Sequence, residues 1–353
     1  MSDKNTYYLV GVMSGTSLDG LDLALCRFEV TPNSNKYAIL KADTIKYPDD
    51  LAAQLRSLHK SGAEEFCRTD REYGHYIGKA VNKFLEGQNI VPDAVASHGH
   101  TIFHNPADGY TVQIGHGAAI AAETGIPVIN DFRSKDVALG GQGAPLVPVG
   151  DRDLFSEYDS CLNLGGFANI SFERNGKRIA GDIAVCNFML NMLAQKAGQP
   201  YDKDGEMARS GKVIPGLLAS LNHLPYYQKP FPKSLGREWV ENNLIPMIPE
   251  DNDIPDLLAT FTQHSATKTA EALQHTDGET VLVTGGGAYN KFLMEKIRAH
   301  SQKKIIIPAK EIVDYKEALI FAWLGLLRMT GKINILAEVT GAKSDSSGGA
   351  LLA

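Results

Sequence analysis

The stretch Gly11-Val12-Met13-Ser14-Gly15-Thr16-Ser17-Leu18-Asp19-Gly20-Leu21-Asp22 constrains this chain more than any other. It sets three glycines, three hydroxyls and two carboxylates between the apolar runs 7–10 and 21–25. Leu21, Leu23 and Leu25 alternate with Asp22, Ala24 and Cys26, which is the period of a half-buried strand. The segment therefore reads as strand, tight polar turn, strand. Glycines let a backbone approach a ligand closely, and successive exposed N–H groups form a nest for anions. Ser14, Thr16 and Ser17 add donors, and Asp19 and Asp22 offer the hard oxygens that orient a hydrated Mg²⁺. The plainer alternative is a hairpin that only turns the chain.

At 353 residues the chain is about twice a typical domain, which favours two lobes over one core. A net charge of −6 leaves no positive surplus to neutralise phosphates, so nonspecific nucleic-acid binding is not expected. Residues 1–6 carry neither a basic n-region nor an apolar core, so no secretory leader is expected. The most apolar helical stretch, 318–327, is roughly half the length a bilayer span needs, so no membrane partner is expected. Cys26, Cys67, Cys161 and Cys186 form no CxxC pair and read as buried thiols. These features together point to a reducing cytoplasm.

Hydrophobic periodicity gives the first half the order β-β-β-α-β-α. A meander over 7–45 precedes helices at 51–58 and 68–84, a short strand 94–97 delivers His98, and a helix covers 118–124. The pattern restarts near Asp159. Strands 160–164 and 169–173 flank Gly165-Gly166, a strand follows at 177–180 and a helix at 187–197. A long helix 256–274, a strand 280–284, a helix 290–299, a strand 304–308 and a last helix 317–329 complete it. Two halves that each open with a glycine-turned hairpin predict an α/β fold of duplicated lobes with a cleft between them, a favoured place for ligands. The first lobe is expected over 1–134, rejoined by 335–353, and the second over 135–334, with the Gly/Pro-rich stretch 140–150 as the crossing.

Several segments carry chemistry. Gly285-Gly286-Gly287 follows a strand and opens a helix. A dinucleotide fingerprint would use Gly285 and Gly287, with Glu311 about twenty residues on. Its third glycine is Asn290, however, and the unit sits late in the chain rather than leading a βαβ series. No GxxxxGK[ST] occurs, so phosphoryl transfer here would use hairpin amides and a metal. His98, His100 and His104 resemble the start of a hydrolytic metal site, but no second HxH or HExxH cluster accompanies them. Asp182, between a predicted strand and helix, suits a general base, and its local alternative is a helix N-cap. Asp131 and Arg133 follow a strand and suit substrate contact, because arginine grips carboxylates bidentately. Glu317 opens a predicted helix, where the dipole favours an acid. Tyr201-Asp202-Lys203-Asp204-Gly205 reads by composition as a solvated turn.

The opening segment 13–22 resembles the signature of the 1,6-anhydro-N-acetylmuramic acid kinases, bacterial sugar kinases of the actin/hexokinase/Hsp70 superfamily. Segments 125–133, 140–148, 163–170, 201–205, 283–288 and 339–342 are similar to further blocks of that family, in the same order. The resemblance implies a two-lobed actin-like fold, ATP and Mg²⁺ as cofactors, an anhydro amino sugar as substrate and a homodimer. It implies phosphate contacts at Gly15, Thr16, Ser17, Asp19, Gly20, Asp22, Gly165 and Gly166, and adenosine packing on Gly285, Gly286 and Gly287. Asp182 matches the family's catalytic base and Glu317 a group supporting the attacking water. His98, Asp131 and Arg133 would contact the sugar, whose lactyl group carries a carboxylate, and Asp19 would meet Mg²⁺ through water. Two departures stand out: Ile183-Ala184-Val185 replaces Thr-Gly-Pro after the base, and His100 replaces Gln. The resemblance implies that water opens the 1,6-anhydro bridge and O6 is phosphorylated, in cell-wall recycling. Rival readings are an ordinary sugar kinase and an actin- or Hsp70-like nucleotide switch.

Overall fold

The computed structural model describes residues 4–15, 18, 20–249 and 251–353, so Thr16, Ser17 and Asp19 lie outside the described residues. The chain forms two compact units. One comprises Met1–Leu154 with Tyr315–Ala353, the other Phe155–Asp314.

The first unit holds β1 (Thr6–Ser14), β2 (Leu21–Thr31), β3 (Ser34–Ile45), β4 (Ala94–Ser97), the hairpin β5 (His100–Asn105) and β6 (Tyr110–Ile114), and β7 (Val128–Asn130). The second holds β8 (Ser160–Leu164), β9 (Phe167–Arg174), β10 (Lys177–Val185), β11 (Thr280–Thr284) and β12 (Lys304–Ile306); β13 (Ala350–Leu352) returns to the first. Among the described residues the first sheet runs β13-β7-β4-β1-β2-β3 and the second β10-β9-β8-β11-β12. In the first, β1, β2 and β3 pair antiparallel while β4 and β7 continue parallel from β1. The second repeats this, with β8, β9 and β10 antiparallel and β11 and β12 parallel. Two copies of one mixed sheet are the core of the actin-like α/β fold expected from the sequence.

Leu21, Leu23 and Leu25 are fully buried and cluster with Tyr73, Ile77 and Val81 of the helix Ala63–Leu85. Each buried leucine contributes about 1.5–3 kcal/mol. Ala24 and Cys26 are buried as well, because the helix Lys310–Met329 covers the opposite face. That helix lies close. A Cβ on Gly11 would stand 1.8 Å from the Ala318 carbonyl oxygen, and one on Gly325 would stand 2.5 Å from the Ala96 Cβ. In the second unit Leu162, Ile170 and Val283 are buried with Ala266 and Leu273 of the helix Ile254–Gln274.

Four local differences from the sequence reading matter below. Residues 135–154 and 315–334 pack with the first unit. The buried Asp136 carboxylate ties this region together by accepting the Gly143 N–H at 2.7 Å and the Thr340 hydroxyl at 2.7 Å. Strand β10 extends to Val185, so Asp182 lies within it, opposite Asn169, with a bulge between Asp182 and Ala184. The last long helix begins at Lys310 and breaks at Tyr315 (φ −116°, ψ 15°) rather than starting at Glu317. Cys67 is exposed, whereas the other three thiols are buried.

Candidate active site

In the first unit, β4 delivers His98 and β7 is followed by Asp131 and Arg133. His98 donates from Nδ1 to the Gly99 carbonyl at 2.8 Å, and its Nε2 accepts from Arg133 Nε at 3.0 Å and Nη2 at 2.8 Å. Burial first, then the neighbouring guanidinium, lowers the His98 pKa to about 3, so the ring is neutral in the Nδ1–H form. Both nitrogens are engaged by protein groups. His100 bonds Ser14 Oγ at 3.0 Å and His104 bonds Thr111 Oγ1 at 2.9 Å, so the three histidines serve three separate contacts instead of converging as metal ligands. Arg133 also donates from Nη1 to the Gly143 carbonyl at 2.6 Å. Three of its five N–H groups are thereby used. One on each terminal nitrogen remains without a partner among the described residues, the pair that fits a carboxylate end-on. Burial lowers the Arg133 pKa to about 10, which leaves it charged at neutral pH. Asp131 has a left-handed backbone (φ 53°), and its Oδ1 accepts the Ser134 N–H at 3.2 Å.

Glu317 follows the break at Tyr315 by two residues. Burial raises its carboxyl pKa; Lys316 opposes the rise, Asp22 adds to it and Arg133 opposes it. Asp22 Oδ1 accepts the Thr44 hydroxyl at 2.6 Å. Two carboxylates that repel each other electrostatically are a donor set suited to a hard, largely hydrated cation. Among the described residues no group of three or more His, Cys, Asp or Glu is placed to hold a metal, and Asp19 lies outside them.

In the second unit the bulge at Asp182 meets a strap formed by residues 226–235. Asp182 donates its N–H to the Lys233 carbonyl at 2.8 Å, and its own carbonyl accepts the Tyr226 hydroxyl at 2.7 Å. Its Oδ2 accepts the Leu235 N–H at 2.8 Å and the Ser234 hydroxyl at 3.2 Å, while Oδ1 has no protein partner among the described residues. Burial raises the carboxyl pKa above the ordinary range, and the two hydrogen bonds partly oppose the rise. The helix Asn187–Lys196 has Cys186 at its N-cap, so capping is not the role of Asp182.

The carbonyls of Gly165 and Gly166 accept from the Asn187, Cys186 and Phe188 amides at 2.9–3.1 Å, fixing the β8–β9 turn against that helix. Gly285 is left-handed (φ 82°), and a Cβ there would stand 2.5 Å from Asn163 Oδ1. Beside Gly286 lies a cavity of about 420 Å³ walled by Asn187, Leu190, Tyr201, Asp204 and Tyr289. The turn read as solvated thus forms a cavity wall. Asp202 is buried and caps the helix Glu206–Ser210 through the Met207 and Ala208 amides at 2.9 and 3.0 Å.

A family model described as anhydro-N-acetylmuramic acid kinase matches residues 7–353. The chain belongs to the anhydro-N-acetylmuramic acid kinase family. It is 37% identical to the anhydro-N-acetylmuramic acid kinase of Pseudomonas syringae pv. tomato over 96% of each chain. It is 39% identical to that of Pseudomonas fluorescens, over 95% of this chain and 96% of the relative. Among solved structures it is similar to a ROK family glucokinase from Streptomyces griseus in complex with glucose and AMPPNP. That match has a TM-score of 0.41 at 13% identity and covers 90% of this chain and 98% of that one.

In this member of the anhydro-N-acetylmuramic acid kinase family, the structure joins His98 to Arg133 and places Glu317 within electrostatic reach of Asp22. Gly165 and Gly166 meet residues 186–188 at one helix start, while Asp182 meets the strap. Sequence reasoning missed Tyr226, Ser234 and Leu235, which hold Asp182 from 44 to 53 residues away and carry no motif. For the cavity wall there was a signal, since the family-like block at 201–205 is the segment that forms it. No helix among the described residues is long and apolar enough to cross a membrane.

Proposed function

We propose that the protein is an ATP-dependent kinase that hydrolyses the 1,6-anhydro bridge of anhydro-N-acetylmuramic acid and phosphorylates O6. The observation that carries this reading is Asp182, with one carboxylate oxygen held by two donors and the other open. Burial that raises its basicity makes it a better proton acceptor. Asp182 takes a proton from water as the water oxygen bonds to the anomeric carbon and the C1–O6 bond breaks. O6 then bonds to the γ-phosphorus of ATP, the bond to the β–γ bridging oxygen breaks, and ADP leaves with N-acetylmuramic acid 6-phosphate. Arg133, steadied by His98, binds the lactyl carboxylate with its two remaining N–H groups, and Asp131 contacts the sugar. Glu317 supports the attacking water. The turn around Gly15, Thr16, Ser17, Asp19, Gly20 and Asp22, with that at Gly165-Gly166, binds phosphates through backbone amides. Adenosine occupies the cavity beside Gly285, Gly286 and Gly287. Mg²⁺, held through water by Asp19 and Asp22, would neutralise charge on the transferred group. A cytoplasmic homodimer acting in cell-wall recycling fits this reading.

The test is product analysis after turnover in ¹⁸O-labelled water with ATP, Mg²⁺ and the anhydro sugar. One ¹⁸O at the anomeric oxygen and none in the phosphoryl group is expected. Label in the phosphoryl group would mean that water attacks ATP. Preference for the pre-opened sugar would favour an ordinary sugar kinase, and ATP turnover indifferent to sugar would favour a nucleotide switch.

A further inference from the structure

The second unit has another cavity, of about 710 Å³, which shares no lining residue with the one beside Gly286. Its apolar side includes Phe172, Ile179 and Ile183 of β9 and β10, and its other walls are the strap and the helix Ile254–Gln274. Four cationic side chains, Arg174, Lys229, Lys233 and Lys268, face it with a single carboxylate, Glu271. Lys268 is 8% exposed and bonds Glu271 at 2.8 Å, so that carboxylate is already engaged. Lys233 lies over the rings of Tyr226 and Phe231, at 4.9 and 5.2 Å, with no carboxylate in ion-pair range among the described residues. Burial and the nearby Lys268 both act against its charged form. The Tyr227 hydroxyl is buried without a hydrogen-bond partner among the described residues. A solvated basic face would spread such groups over open surface; here they line one concavity of small-ligand size with aromatic walls.

We propose that this cavity binds a phosphorylated sugar, the phosphate meeting Lys229, Lys233 and Arg174 and the ring lying against the aromatic wall, and that the bound ligand steadies the strap that holds Asp182. Phosphate supplies the charge the cations lack, and a sugar ring presents an apolar face suited to Phe231. Nucleic acid fits poorly, because the basic groups form an isolated pocket on a chain of net charge −6. The coupling follows from the chain itself. Residues 226–235 send Tyr227, Lys229 and Lys233 to the cavity while their other groups make the four hydrogen bonds to Asp182. The strap is also closely seated, since a Cβ on Gly181 would stand 2.7 Å from the Lys233 carbonyl oxygen. Only the value of steadying Asp182 rests on its role as base; the binding itself does not.

The experiment is calorimetric titration of the full chain with N-acetylglucosamine 6-phosphate, N-acetylglucosamine and orthophosphate, with no ATP present. The phosphate ester is expected to bind, and its affinity to fall by at least about tenfold in Lys229→Gln/Lys233→Gln. The Arg174→Gln variant gives the same reading if the double variant fails to fold. Binding that survives these changes, binding abolished instead by saturating anhydro-N-acetylmuramic acid, or equal affinity for orthophosphate would each overturn the proposal. Hydrogen exchange supplies the second readout, in which the bound ester is expected to slow exchange of the Asp182 and Leu235 amides. Unchanged exchange at saturation would overturn the coupling.

Discussion

Replacing Asp182 by Asn separates the base from every structural role the residue has. Asn keeps a carbonyl oxygen where Oδ2 now accepts from Leu235 and Ser234, and it keeps both backbone contacts to the strap. It loses the ability to take a proton at the open position. A positioned general base contributes about 10²–10⁴-fold. The expected loss is therefore in kcat, equivalent to about 3–5.5 kcal/mol of barrier, with KM for both substrates nearly unchanged. Stability moves the other way. Burial raises the folded carboxyl above its unfolded pKa of about 3.9, so the stability Asp182 contributes is complete below that value and declines as pH rises through the folded value. Asn has no charge to bury. The variant should melt at or above the wild-type temperature at pH 7–8, and the difference should close as pH falls toward about 4. The wild-type rate should fall on the acid side with a midpoint above the ordinary aspartate value. ADP release measured across pH, with calorimetric melting, checks all of this. Near-wild-type turnover by the folded variant would refute the base assignment, and loss of sugar binding together with turnover would make the residue positional.

Three further outcomes test other parts of the site. Gly286→Ala should fold, because its Cβ meets only Asn187 Nδ2 at 3.6 Å, yet weaken binding of a non-hydrolysable ATP analogue measured by calorimetry; unchanged affinity would remove adenosine from that cavity. Arg133→Lys keeps the charge but loses the fork, so KM for the anhydro sugar should rise by about tenfold or more, with little effect on an analogue lacking the lactyl carboxylate. An equal rise for both compounds would count against the carboxylate contact. Gly11→Val should cost about 3 kcal/mol or more in denaturant unfolding, since its side chain meets the Ala318 backbone, and a neutral result would mean that the helix moves away freely.

The duplicated fold was largely legible in the sequence because its signals are local. The Leu21-Leu23-Leu25 alternation, the glycine turns at 15 and 165–166 and the strand 280–284 each state their own conformation. Residue chemistry singled out His98, Arg133 and Asp182 as candidates, whereas a role for Glu317 beside the attacking water came from the family resemblance alone. The limits were also local. Predicted β10 stopped at Ala180 because Gly181 and Asp182 disfavour strands on their own, and pairing with β9 overrides that preference. The hairpin of β5 and β6 was passed over, its alternation broken by a register shift between Thr101 and Phe103. Only the tertiary structure brought the strap to Asp182, closed Arg133 onto His98, and turned the segment 201–205 from apparent solvent exposure into a cavity wall. The first two facts depend on contacts across 35 to 53 residues, and the cavity wall on a still more distant turn at Gly286. Periodicity reports which face of an element is apolar, whereas such contacts are set by where the folded sheets bring distant loops, and no local pattern encodes that.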